Sequence, residues 1–181
     1  MTWFLKKKER KYLIISAAVF FAVWAICYFG LGSLFTGSLK ADSMEDLYKG
    51  ESFFSLFFNN LLHCVVCAFG CGILSLPMLM FDAGSIGVIG AAFKLFGGSF
   101  SQYILLLLPH CIFEIPALLI SCACGLKLFS LLRKYISGQK DNMKQEIIKI
   151  LKSLIIVGVL VLIAAVIEAF VTPKIAAHFG G

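Results

Sequence analysis

Residues 153–171 form a run of 19 with a single charged side chain, Glu168, and residues 12–31 form a run of 20 with none. A bilayer core accepts about 20 apolar residues as one helix. Inside it every backbone N–H and C=O must be satisfied by the segment itself. Runs of this length therefore confine the chain to membrane-spanning helices. Composition agrees: 60% of the 181 residues are hydrophobic and the mean hydropathy is +0.95, which excludes a soluble globular domain. The lipid bilayer is thus the first partner. The net charge of +6 is no nucleic-acid signal, because it gathers at residues 6–11 and 133–152. Such basic flanks mark the cytoplasmic side of a span and can touch anionic lipid.

The basic start followed by an apolar run resembles a signal peptide. The run is longer than a typical signal core and lacks a clear small-x-small cleavage site, so it reads as a retained first span. The seven cysteines (Cys27, Cys64, Cys67, Cys71, Cys111, Cys122 and Cys124) all fall in apolar runs, and their number is odd. A disulfide framework is not expected. The Cys64-x-x-Cys67 pair lacks the cationic neighbours that activate a redox thiol. It reads as small residues for tight helix packing.

The expected fold is an all-α integral membrane protein, residues 1–181 as a single membrane domain with about five transmembrane helices. The spans are placed at 12–31, 55–80, 84–98, 103–132 and 153–172. Residues 53–80 would make a helix of about 42 Å, so the phenylalanines at its start are expected at the outer interface. Pro77 is expected to kink its inner end and Asp82 to mark a turn. The segment 84–98 is short or broken, with Gly84, Gly87 and Gly90 spaced by three. The fourth span is expected to be kinked by Pro109 and Pro116, and Pro173 closes the fifth. These three prolines form the helix-breaking set.

Charge orients the spans. Residues 32–52 carry two lysines against four acids, a net −2 suited to an outside loop. With the N-terminus cytoplasmic and five crossings, both basic patches lie inside and the C-terminus outside the cell membrane. A re-entrant third segment would put six basic residues between Arg133 and Lys152 outside, against the positive-inside rule.

Polar exceptions mark the candidate site. His110 and Glu114 lie four apart in the fourth span and share a helix face. An ionisable group at such depth costs about 2.5–3.5 kcal/mol on insertion scales. Glu114 lies about 17 Å from Tyr103 along a helix, and Glu168 about 22 Å from Ser153. His110 and Glu168 are then at similar depth, and Asn59, Asn60 and His63 begin the second span on the same side. The expected intramembrane polar cluster is Asn60, His63, His110, Glu114 and Glu168. It reads either as an interhelical hydrogen-bond network or as an ion- or proton-responsive site. A metal set from His63, His110, Glu114 and Glu168 is chemically possible. No local ligand motif such as H-E-x-x-H accompanies it, so neither a metal, a cofactor nor a catalytic residue is expected. Lys127 is expected to snorkel to the inner interface, and Lys94 to meet Glu114 or a lipid phosphate.

Three stretches carry a resemblance. They are Asn59-Asn60 at the start of the second span, Leu108-Pro109-His110-Cys111-Ile112-Phe113-Glu114-Ile115-Pro116-Ala117 in the fourth, and Ile167-Glu168-Ala169-Phe170-Val171-Thr172-Pro173 closing the fifth. In order and spacing the chain resembles the stage II sporulation protein M family from about Phe53 to Pro173. It departs from the family pattern at Cys111, where Gly is usual. The resemblance implies an integral membrane protein, not an enzyme, that serves as a scaffold or component of an envelope-remodelling complex. It also implies engulfment during sporulation and peptidoglycan hydrolases as partners. The alternative is a small-molecule or ion transporter or channel using the His/Glu cluster, alone or as a homo-oligomer. An intramembrane enzyme has the least support.

Overall fold

The computed structural model describes residues 10–31, 34, 52–138 and 142–177. Among these residues there are helices and turns and no strand. Most of the acidic 32–52 loop and of the basic 6–11 patch lies outside the described residues. Five long helices follow one another: α1 Arg10–Ile26, α2 Phe53–Phe69, α3 Ser75–Leu95, α4 Phe100–Ile136 and α5 Met143–Phe170, with a short α6 at Thr172–Ala177. A π-helical turn, Cys27–Leu31, extends α1. Four of them are long and apolar enough to cross a membrane, while α2 is apolar but has 17 residues.

The helices begin and end where local chemistry allows. Ser52 caps α2, its Oγ accepting the Ser55 N–H at 3.2 Å. Ser99 and Gln102 form a capping box at the start of α4, satisfying N–H groups that a helix start leaves without partners.

The second and third spans divide elsewhere than expected. The chain turns at residues 70–74, not at Asp82, and α3 is one unbroken helix of 21 residues rather than a short or broken 84–98 segment. Cys71 and Gly72 have φ of 46° and 75° there, a left-handed pair that Gly72 makes affordable. The Gly72 N–H donates to Ser75 Oγ at 3.0 Å. Pro77 then sits in the first turn of α3, where no intrahelical N–H bond is required and a fixed φ suits the helix. It starts a helix instead of kinking the end of one. Pro109 and Pro116 lie inside α4, which is helical through both, so they do not break it. The carbonyls that lose their donors, those of Leu105 and Ile112, belong to residues on the outer surface. Of the three prolines only Pro173 stands at a boundary, in the first turn of α6.

Consecutive long helices run in opposite directions and α4 packs against all the others. One end of the bundle is aromatic: Tyr28, Phe93 and Tyr103 are buried together, with Tyr28 and Tyr103 stacked at 5.7 Å. Tyr103 Oη donates to the Ile86 carbonyl at 2.8 Å. At the other end the α2–α3 turn meets Leu126 and Phe129 of α4 at Gly72. Lys127 there is buried and paired with Glu146 at 2.7 Å, and Lys149 holds the second carboxylate oxygen. The snorkelling expected of Lys127 is thus replaced by an ion pair, because α5 brings Glu146 over the end of α4.

The core between the helices is built from small residues. Cys64, Cys67, Ala68, Ala83, Ala117, Cys122 and Cys124 are all buried, around Phe20, Leu79, Val157 and Val161. Small side chains let backbones approach where lipid supplies no hydrophobic drive for association. All seven cysteines are free thiols. The outward faces carry Ile14, Phe21, Phe58, Leu62, Phe81, Ile155 and Val159, the surface that lipid covers.

Candidate functional site

A cleft of about 290 Å³ opens between α2, α3, α4 and α5. Asn59, Asn60 and His63 enter it from α2, Asp82 and Ser85 from α3, His110, Cys111 and Glu114 from α4, and Glu168 from α5. The five residues expected as a cluster therefore share one cavity, although they come from three helices. Helical spacing explains each contribution. His63 follows Asn59 and Asn60 by one turn, and Asp82, Ser85, Ile86 and Ile89 repeat at i, i+3, i+4 and i+7 on the α3 face that lines the cleft. Below, Cys64 and Leu118 close it, both buried in the small-residue core.

Asp82 is the member that sequence reasoning misses. Read as a turn residue, it lies in the second turn of α3 and is 8% exposed. His63 Nδ1 donates to its Oδ1 at 2.6 Å, across 19 residues of sequence. The Phe81 and His63 rings meet edge to face, with centroids 6.1 Å apart. A signal was present: from Ser75 to Leu95 the only charges are Asp82 and Lys94, and Pro77 two residues into that run marks a helix start. Read so, Asp82 is an acid within a span, and the default partner is another titratable group.

Two buried polar atoms in the cleft are left over. Among the described residues no hydrogen-bond partner reaches His110 Nδ1 or Asp82 Oδ2. Buried polar atoms almost always have partners, so these two are free to meet a ligand. His110, Cys111 and Glu114 also offer one donor atom each, all within 4.8 Å of one another. The broader set of His63, His110, Glu114 and Glu168 does not close on a single point in this way. Lys94 is exposed in the last turn of α3. Chemically, three carboxyl groups and two imidazoles in one partly desolvated cleft suit a cation, a proton or a partner's hydrogen-bonding group.

Comparison with known proteins covers most of the chain. The family described as Stage II sporulation protein M matches residues 12–173. An uncharacterized protein of Methanocaldococcus jannaschii is 35% identical over 102 residues, 55% of this chain and 57% of that protein. The chain thus matches little more than half the length of that relative. No solved structure matches it.

Proposed function

We propose that this chain, which belongs to the stage II sporulation protein M family, is a non-catalytic membrane scaffold that positions partners in an envelope-remodelling complex. The family's name points to sporulation; the process read from the resemblance is engulfment, with peptidoglycan-degrading enzymes as the partners. The protein lies in the cell membrane with its N-terminus and both basic patches cytoplasmic and its C-terminus outside.

One observation supports holding over conducting. The polar cleft ends at a closed floor: Cys64 is 1% and Leu118 2% exposed, and Cys67, Ala68, Ser121 and Cys122 beneath them are fully buried. A dead-ended cleft suits a docking or binding site. A channel would need a continuous polar path. The second reading, transport, draws on the same cleft, because acids and histidines at mid-depth are the usual material of ion and proton relays.

Reconstitution into liposomes, with ion and proton flux recorded, separates the two. The scaffold reading expects no flux above empty vesicles. It also expects peptidoglycan-lytic activity to co-purify with the tagged chain from native membranes and to be lost with Asp82→Asn or Glu114→Gln. Flux that disappears in those variants would replace the scaffold with a transporter.

A further inference from the structure

We propose that His110, Cys111 and Glu114 form a binding site for a divalent transition-metal ion, zinc(II) by its donor set, inside the cleft. The site stands on its own geometry and does not depend on the scaffold reading. The three residues occupy one turn of α4 at i, i+1 and i+4, and their donor atoms lie within 4.8 Å of one another. Tetrahedral zinc with bonds of about 2.0–2.3 Å separates its ligands by roughly 3.3–3.8 Å. Rotation about the side-chain bonds of Cys111 and Glu114 closes the difference without moving the helix.

A second observation points at a ligand. His110 is 9% exposed and its Nδ1 has no hydrogen-bond partner among the described residues. A buried imidazole with a free nitrogen beside a thiol and a carboxyl is a set of metal donors already in place. Asp82 lines the same cleft outside this set of three: its Oδ2 is unpartnered, while Oδ1 is held by His63 at 2.6 Å.

Donor type selects the ion. Thiolate and imidazole disfavour magnesium and calcium, which take oxygen, and one carboxylate beside them suits zinc better than the softer copper(I). Charge favours the site's position. A divalent ion with one thiolate, one carboxylate and one neutral imidazole is electrically neutral, which lowers the cost of charge at bilayer depth. On binding, the Cys111 S–H bond breaks, a zinc–sulfur bond forms and the proton leaves to water. Binding is therefore expected to weaken as pH falls.

The test uses the purified full chain in detergent, titrated with cobalt(II) and then zinc(II). One cobalt per chain is expected, with a thiolate-to-cobalt charge-transfer band that zinc displaces. Cys111→Ser should abolish the band, and both it and His110→Gln should weaken binding by at least about 10-fold. Cys27→Ser, outside the cleft, should change neither. Each variant must elute as the unmodified protein does. Should Cys111→Ser fail to fold, zinc-edge X-ray absorption of the unmodified protein gives a second measurement, in which one sulfur among nitrogen and oxygen neighbours is expected. Failure to bind either ion, a zinc shell without sulfur, or a charge-transfer band that survives in Cys111→Ser would each overturn the site.

Discussion

Asp82 and His63 meet across two helices inside the bundle, and each is the other's reason to be there. Removing one leaves a buried group that must neutralise or stay unpaired, a cost of about 1–3 kcal/mol. His63→Ala and Asp82→Ala should each destabilise the protein in detergent unfolding. The double variant should lose less than the sum, by a coupling of roughly 0.5–3 kcal/mol. Additive losses would mean that the 2.6 Å contact contributes nothing. Glu114 tests the chemistry of the cleft more directly. Gln keeps the shape and most hydrogen bonding but removes the charge. Under the scaffold reading, Glu114→Gln should express and elute normally yet fail to complement a deletion. A variant that complements fully would reduce Glu114 to packing.

At the scale of helices, contact between small residues sets how closely the bundle closes. A Cβ added at Gly125 would lie 2.2 Å from the Cys67 carbonyl and 2.1 Å from Ser75 Oγ. The first of these is backbone and cannot step aside, so α4 would be forced away from the α2–α3 turn. Gly125→Ala should destabilise by about 1–3 kcal/mol, the range for overpacking a core. Gly158 on α5 has nothing within 4 Å of the same position. Gly158→Ala should be neutral or gain up to about 1 kcal/mol from helix propensity. Thermal unfolding of the two variants side by side checks this; equal effects would contradict the packing described. Gly87 belongs with Gly125, since its Cβ would meet the Trp24 carbonyl at 2.7 Å, and Gly84 does not, having only ordinary contacts. At Gly90 a Cβ would meet the Tyr28 and Tyr103 rings at 2.7 Å; spacing by three identified the stripe, but only the approach of its neighbours shows which members are crowded.

For the whole molecule, the two ends of the bundle differ in chemistry. The aromatic end gathers Trp24, Tyr28, Phe93 and Tyr103, packed against one another inside the bundle. The opposite end carries Arg10, Lys11, Arg133, Lys134 and the Lys127–Glu146–Lys149 group. We predict that this basic end is cytoplasmic. Single cysteines at Ser43 and Ser137, probed with an impermeant thiol reagent, should label from opposite sides, and labelling of both from one side would end the five-crossing arrangement. The sequence alone determined the membrane class, the helical fold and most of the cleft. Apolar length leaves helices as the only solution in lipid, and a charge within such a run is conspicuous by its cost. Asn60, His63, His110, Glu114 and Glu168 were legible for that reason. Three things needed the tertiary structure. The boundary between α2 and α3 depended on whether Pro77 ends one helix or begins another, and both fit the local sequence. The His63–Asp82 pair and the Lys127–Glu146 bridge join residues through packing. Hydropathy records the depth of a side chain along its own helix, whereas the partner it meets depends on how neighbouring helices rotate and approach, which small-residue contacts decide.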